Sequence, residues 1–112
     1  MSRVEKDGHT AVIYSPGYGA GWSTWAEHSE REMLLFDPHI VELILEREDG
    51  SLDTDTFKQR VEQIWQLKGY TSYLNDQQLE IAWVPNGTLF RIHEYDGSES
   101  VVLQDQDDWF KA

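Results

Sequence analysis

Cysteine is absent from this chain of 112 residues, and basic residues are few. Without cysteine, the protein has neither disulfide bonds nor thiolate chemistry, and a zinc site built on cysteine is excluded. Nine Lys and Arg residues against 21 Asp and Glu residues give a net charge of −12. A protein that binds DNA or RNA directly normally presents a basic patch to the phosphates. Direct binding of nucleic acid is therefore not expected.

Long apolar runs are also missing from the chain. No segment approaches the roughly 20 apolar residues that a membrane span needs, and residues 1–7 are polar and lack the apolar core of a secretory signal. We therefore expect a soluble protein of the cytoplasm that has no membrane partner. The length and the hydrophobic fraction of 39% suit one globular domain over residues 1–112.

Two helices are predicted in the middle of the chain. Asp37 and Pro38 form a strong helix start, because aspartate caps free backbone N–H groups and proline suits the first helical position. Apolar side chains follow at helical spacing as far as Gly50, which is a natural stop. The second helix is predicted from residue 53 or 54 to residue 68, and the short connection makes the two helices neighbours. Before them, residues 25–36 are ambiguous between a helical turn and core.

Strands are predicted on both sides of these helices. β-branched residues predict a buried strand at residues 10–14, after a polar lead-in. Three further strands are predicted at residues 79–84, 88–95 and 100–103. The turns between them, at Asn86–Gly87 and Asp96–Gly97, are both suited to hairpins. The sequence thus predicts an α+β fold, in which two helices pack on a small, mainly antiparallel β-sheet with a C-terminal β-meander, and the N-terminal strand joins that sheet.

Residues 15–25, Ser-Pro-Gly-Tyr-Gly-Ala-Gly-Trp-Ser-Thr-Trp, are the strongest candidate for a binding surface. Glycine allows positive φ and close approach, and tryptophan offers a flat face with one N–H donor. The G-x-G-x-G spacing matches neither the dinucleotide fingerprint nor the P-loop, so an aromatic pocket for a planar ligand is favoured over a phosphate cradle. The predicted ligand-binding residues are Ser15, Tyr18, Gly19, Gly21, Trp22, Ser23, Thr24 and Trp25. The alternative is that Trp22 and Trp25 fill the core while the glycines allow close packing.

Acidic residues in the last third of the chain form a second candidate surface. Six of them lie between Arg91 and Lys111, with no Lys or Arg among them. Acids that line one face would attract a basic partner and make its association sensitive to salt. The alternative is a solvated surface that only keeps the protein soluble. The predicted partner-binding residues are Glu94, Asp96, Glu99, Asp105, Asp107 and Asp108.

No catalytic or cofactor motif is present in the sequence. The four histidines lack the spacing of a helical metal motif, and there is no G-x-S-x-G elbow for a nucleophilic serine. No catalytic residue, metal or cofactor is therefore predicted. An enzyme remains the third hypothesis, in the form of a small hydrolase that uses His28 or His93 with nearby carboxylates.

Three stretches of the chain resemble a group of short proteins encoded by tailed phages and prophages. These stretches are VIYSPGYGAGWSTW at residues 12–25, FDPHIVEL at residues 36–43 and GTLFRIHEYDGSE at residues 87–99. The resemblance implies a phage accessory protein that acts inside an infected bacterium. Such proteins often block host defence or redirect host enzymes, mostly by binding.

The leading hypothesis is a non-catalytic phage accessory protein that binds and inhibits a host protein with a basic surface, such as a defence component. The alternative is a protein that sequesters a small molecule or nucleotide signal, with Tyr18, Trp22 and Trp25 stacking on the ligand. A self-complementary aromatic patch would also suit a homodimer.

Overall fold

Three helices and two antiparallel sheets make up residues 3–19, 21–72 and 78–104, which are the part of the chain that the computed structural model describes. The predicted α+β class is confirmed. The strands are β1 (Glu5–Lys6), β2 (His9–Tyr14), β3 (Glu80–Pro85), β4 (Phe90–Tyr95) and β5 (Ser98–Leu103). The helices are α1 (Arg31–Phe36), α2 (Pro38–Glu48) and α3 (Thr54–Lys68).

The first sheet has the strand order β1-β2-β3. Strand β2 pairs with β3 from His9 opposite Pro85 to Tyr14 opposite Glu80, so the predicted N-terminal strand does join a strand from the last third of the chain. Strand β1 lies in the segment that the sequence predicted to be only a polar lead-in, and that prediction is wrong. Asp7 and Gly8, with φ of 51° and 76°, form the turn between β1 and β2. An Asp-Gly pair is a common signal for such a turn.

The second sheet consists of β4 and β5, and the Asp96–Gly97 turn between them confirms the predicted hairpin. The Asn86–Gly87 turn, by contrast, connects two different sheets, so the hairpin predicted there is wrong. Its contacts explain the difference: the backbone N–H of Asn86 donates to the carbonyl of Gly8 at 2.9 Å, and the Asn86 amide oxygen accepts from the Thr10 hydroxyl at 2.6 Å. The turn is bound to the β1–β2 hairpin. The three strands themselves occur where the meander was predicted.

Helices α2 and α3 begin and end close to the predicted residues. Asp37 caps α2, since one of its carboxylate oxygens accepts from the backbone N–H groups of His39 and Ile40 at 2.9 and 3.3 Å. Helix α3 ends at Lys68, and Gly69 follows it with a left-handed backbone at φ +67°. The two helices contact each other, as predicted. The ambiguous segment before them forms a single 3-10 turn, His28–Glu30, and then α1.

Two apolar clusters hold these elements together. The larger one lies between the helices and the first sheet, where Ile13, Ile40 and Ile44 are fully buried together with Trp22 of the segment at residues 15–25. The smaller cluster centres on Val12, Phe36 and Val84. It packs β4 and β5 against the first sheet through the side chains of Phe90, Ile92, Val101 and Leu103. The terminal hairpin is thereby fixed beside the end of β2, where residues 15–25 begin.

Candidate functional site

Residues 15–19 and 21–25, called here the glycine-rich loop, are hydrogen-bonded along the hairpin formed by β4 and β5. The loop leaves the end of β2 and follows the turn end of that hairpin. Three hydrogen bonds to backbone carbonyls join the two segments, from Glu99 N to Ser15 O (2.7 Å), from Gly19 N to Asp96 O (2.8 Å) and from Ser98 Oγ to Pro16 O (2.7 Å). Both ends of the contact are therefore fixed by backbone groups.

Glu99 is the centre of this contact, and its side chain is buried. Its carboxylate accepts from the backbone N–H groups of Ser15 (3.0 Å), Trp22 (2.8 Å) and Thr24 (3.0 Å), and from the Thr24 hydroxyl (2.6 Å). None of the described basic side chains forms a salt bridge with it. Four donors therefore replace the water that a buried carboxylate has lost. The prediction that Glu99 binds a partner is wrong, because the loop covers it.

Glu94 stands directly opposite Glu99 in the β4–β5 register. Two like charges in this position destabilise a strand pair unless other groups compensate for them. The loop and the hairpin turn provide the compensation together, since the Trp25 indole N–H donates to the Glu94 carboxylate, and Gly97 N of the turn donates to the same oxygen at 3.2 Å. Glu94 and Glu99, called here the glutamate pair, thus attach the glycine-rich loop to the hairpin.

Trp22 belongs to the core and not to a ligand pocket. Its side chain is 0% exposed, its indole N–H donates to the carbonyl of Leu34 at 2.9 Å, and its ring meets that of Tyr70 edge-on with 6.3 Å between centroids. The prediction that Trp22 stacks on a ligand is therefore wrong. The side chains of Ser15 and Ser23 are buried as well, so they offer no surface to a ligand.

Gly21 allows close packing, as the alternative interpretation of the glycines predicts. A Cβ atom on this residue would lie 2.5 Å from Thr24 Oγ1 and 2.7 Å from Trp25 Cδ1. Such distances are far inside van der Waals contact, so only glycine fits. Gly19 differs, since it has open space around it but a positive φ of 96°. Thr24 is half-buried, and its hydroxyl donates a hydrogen bond to the Glu99 carboxylate.

Three large aromatic side chains remain at the surface of this region. Tyr18 is 75% exposed, Tyr95 is 71% exposed and Trp25 is 40% exposed. Tyr18 precedes Gly19 and Tyr95 precedes Asp96, so the hydrogen bond between Gly19 and Asp96 brings the two tyrosines to the same end of the hairpin. The acidic–aromatic surface, as we call it, comprises Tyr18, Tyr95 and Asp96 at the turn end of the hairpin, together with Trp25 and Glu94 on the hairpin face that the loop covers. The alternation along β4 places Glu94 and Tyr95 on opposite faces of the hairpin.

The predicted acidic partner-binding face is only partly present at this surface. Asp96 is exposed, whereas Glu94 is half-buried and its carboxylate accepts hydrogen bonds from Trp25 and Gly97. Asp105, Asp107 and Asp108 lie outside the described residues. The partner-binding role of Glu94 and Asp96 stays a prediction.

A second buried carboxylate, that of Asp37, lies between the helices. The oxygen that does not cap α2 accepts from Lys68 Nζ at 2.6 Å and from the Tyr70 hydroxyl. Burial alone would raise the pKa of the Asp37 carboxyl, but the hydrogen bonds from Lys68 and Tyr70, together with the charge of Lys68, hold that pKa below its ordinary value. His39 Nδ1 lies 3.1 Å from Lys68 Nζ at the outer side of this group.

This group of side chains stabilises the fold and is poorly suited to acid–base chemistry near neutral pH. Burial raises the pKa of the Tyr70 phenol, and the hydrogen bond to Asp37 and the charge of Asp37 raise it further. The phenol therefore stays protonated and the carboxyl stays ionised. General acids and bases work best when their pKa lies near the working pH. The sequence predicted the capping role of Asp37, whereas Lys68 and Tyr70 had no local signal.

The histidines of the hydrolase hypothesis lie at the surface, and neither is hydrogen-bonded to Asp37 or Glu99. His28 and His93 are both exposed, and neither imidazole makes a hydrogen bond with another described residue. Within residues 3–19, 21–72 and 78–104, no group of three or more His, Asp or Glu side chains is arranged to hold a metal ion. These residues thus give the enzyme hypothesis no assembled site.

A cleft of about 310 Å³ lies beside α1, away from the residues predicted to bind a ligand. It is lined by Arg3, Ser29, Glu32, Met33 and Phe36. The Arg3 guanidinium bonds to Glu32 at 2.8 Å and lies 3.9 Å from the centroid of the Phe36 ring. Contacts of this exposed kind contribute about 1 kcal/mol or less.

Comparison with known proteins adds no family to this description. Neither a protein-family model, nor a curated protein, nor a solved structure matches the chain. In the described residues, no helix combines the length and the apolar character that crossing a bilayer requires.

Proposed function

We propose that this protein is a non-catalytic binding protein that docks on a basic surface of another protein through its acidic–aromatic surface. One observation carries the proposal: Tyr18 and Tyr95 are strongly exposed beside Asp96, Tyr95 at the hairpin turn and Tyr18 on the loop that the buried Glu99 holds in place. Ordering a loop during association costs free energy. A loop that is fixed beforehand avoids much of that cost.

The chemistry of this surface suits a basic protein. Tyrosine and tryptophan carry much of the binding energy in protein interfaces, because they bury large area at a small cost in conformational entropy. Their ring faces also attract Lys and Arg side chains through cation–π contacts. Asp96 adds a formal charge at the same place, and the net charge of −12 speeds the approach of a basic partner.

The biological setting of the proposal comes from the resemblance to phage proteins. An accessory protein of a phage would act in the cytoplasm of the infected bacterium and inhibit a host protein by covering its basic surface. A host-defence component is one such target. The alternative of a small-molecule or nucleotide binder lacks one of its three predicted stacking residues, because the Trp22 side chain lies in the core.

Capture of a partner from bacterial lysate tests this proposal with matched variants. The tagged wild-type protein is compared with a Tyr18→Ala/Tyr95→Ala double variant and with Leu67→Ala, which removes a side chain that is 87% exposed on α3. The same protein should be retained by the wild type and by Leu67→Ala, and should be lost from the double variant. Its retention should also fall as ionic strength rises from about 0.05 to about 0.3 M, because salt screens exposed charges.

Two results would contradict the proposal. One is the recovery of no specific partner at low salt. The other is equal recovery by the wild type and the double variant, which would show that the partner binds elsewhere. Circular dichroism of each variant provides the control for folding.

A further inference from the structure

We infer that Glu99 is a positioning residue for the acidic–aromatic surface: it does not touch the partner, but it fixes the backbone that presents Tyr18. This inference rests on the proposed function and deepens it, because it names the side chain on which the shape of the binding surface depends. The sequence analysis predicted a different role for Glu99, namely direct contact with a partner.

The hydrogen bonds of Glu99 lie on both sides of Tyr18 along the chain. Ser15 N donates to one carboxylate oxygen, while Trp22 N and the N–H and hydroxyl of Thr24 donate to the other. The carboxylate therefore joins Ser15, on one side of Tyr18, to Trp22 and Thr24 on the other side. Without this connection, the free backbone N–H groups would seek water, and the loop would open from both ends.

The acceptor at this place has to be a carboxylate. An ionised carboxylate only accepts hydrogen bonds and has about four sites for donors, whereas an amide of the same shape carries an NH₂ group. In Glu99→Gln, that NH₂ group would face N–H donors, and at least one side of the loop would lose its partner. The variant thus changes the hydrogen bonding while it keeps the volume of the side chain.

Glu48→Gln provides a matched control for this substitution. Glu48 is exposed at the end of α2, so the control makes the same chemical change and the same change in net charge at a distant place. The binding probe is a fluorescently labelled peptide of nine arginines, titrated at low salt. Amide hydrogen exchange at Ser15, Trp22 and Thr24 reports the loop itself, independently of any partner.

We expect Glu99→Gln to fold, to speed exchange at these three amides and to weaken peptide binding by about tenfold, since hydrogen bonds to charged groups are worth about 1.5–3 kcal/mol. Glu48→Gln should leave exchange at these amides unchanged and weaken binding by no more than about twofold, as befits one screened surface charge. The double variant Glu99→Gln/Tyr18→Ala should bind no more than about twofold more weakly than Tyr18→Ala alone, which is the effect of one lost charge, because Glu99 otherwise acts through Tyr18.

The outcomes separate this inference from the proposed function. If Tyr18→Ala binds the peptide like the wild type, the proposed function fails, while the exchange data still decide whether Glu99 holds the loop. If Tyr18→Ala weakens binding but Glu99→Gln matches Glu48→Gln, the inference is overturned. Additive losses in the double variant would overturn it too.

A second variant decides the matter if Glu99→Gln does not fold. Thr24→Val removes one donor to Glu99 and keeps the shape of the side chain. It should speed exchange at Trp22 and weaken peptide binding by a few-fold, since one hydrogen bond to the carboxylate is lost. Unchanged exchange and unchanged binding in this variant would overturn the inference.

Discussion

Two carboxylates are buried among the residues that the structure describes, Asp37 and Glu99, and their negative charges are compensated in different ways. Asp37 is paired with the ammonium of Lys68 and the phenol of Tyr70, and it caps α2 with its other oxygen. Glu99 has no ionic partner among the described residues, and its charge is met by three backbone N–H groups and one hydroxyl. The first arrangement joins two helices, and the second gives a fixed conformation to a loop without regular structure.

The comparison shows that a side chain's role depends on where its donors lie in the sequence. The capping donors of Asp37 are two and three residues away, so the capping hydrogen bonds form as soon as α2 forms. The donors of Glu99 are separated from it by 75 to 84 residues, so they require the assembled fold. Changes at Asp37 should therefore act on the scaffold, whereas changes at Glu99 should act mainly on the loop.

The largest effect is expected from Trp22→Ala, because Trp22 connects the two regions. The backbone N–H of Trp22 donates to the Glu99 carboxylate, and the indole ring packs against Tyr70, whose hydroxyl donates to Asp37. Loss of this fully buried ring should lower the free energy of unfolding by about 3–5 kcal/mol. Urea denaturation measures the loss, and a value below about 1 kcal/mol would contradict the assignment of Trp22 to the core.

Asp37→Ala should follow, with a loss of about 3 kcal/mol, because the substitution removes a helix cap and leaves Lys68 without its counter-charge. The loss should appear equally in far-ultraviolet circular dichroism and in tryptophan fluorescence, since the scaffold unfolds as a unit. Asp37→Asn keeps an oxygen for the cap and serves as the control, with a smaller loss. Equal losses in the two variants would show that the cap matters little and that the loss comes from the missing charge, whereas a negligible loss in Asp37→Asn would show that the ion pair matters little.

Glu99→Gln should cost less global stability, about 2 kcal/mol, because one or two hydrogen bonds to a charged acceptor are lost while the packing remains. Its effect should be concentrated in the glycine-rich loop, where amide exchange becomes faster before the helices lose protection. A uniform loss of protection across α2 and α3 would instead place Glu99 in the scaffold, and the contrast between the two regions would disappear.

The smallest expected effect is a change in how the free energy of unfolding depends on acidic pH. Because the pKa of Asp37 is lower in the folded protein than its ordinary value of 3.8, its contribution to stability is complete above that value and is lost as the pH falls below it. The free energy of unfolding, measured between about pH 5 and pH 2, should therefore fall less steeply in Asp37→Asn than in the wild type. Parallel curves would show that Asp37 has the same pKa in both states.

Local chemistry made much of the fold predictable. The Asp37–Pro38 start, the end of α3 before Gly69 and the Asp96–Gly97 turn each depend on residues within one turn of each other, and all three are confirmed. The Asn86–Gly87 turn was mispredicted because a turn sequence does not determine which strands pair. Asn86 forms its hydrogen bonds with the distant β1–β2 hairpin, and β3 and β4 on the two sides of the turn belong to different sheets.

The candidate site was harder to predict, because some side chains of the glycine-rich loop are buried in the core and others are exposed at the surface. Composition alone gives Trp22 and Trp25 the same status, although the first is buried and the second is exposed. An acidic residue in a strand is also expected at the surface. A signal for Glu99 was nevertheless present, since the alternation places it on the same face as Val101 and Leu103, which is the face that packs against the first sheet.

The crowding around Gly21 has a consequence for how such a loop can diverge over evolution. A methyl group at Gly17 would meet nothing within 4 Å, and Gly19 needs only a residue that tolerates its positive φ, whereas Gly21 leaves no room for any replacement. The regular alternation of glycines is therefore a weak marker of this architecture. Gly21-Trp22-x-Thr24, with a glutamate 75 residues after the threonine beside a hairpin turn, is the combination by which distant versions should be recognised.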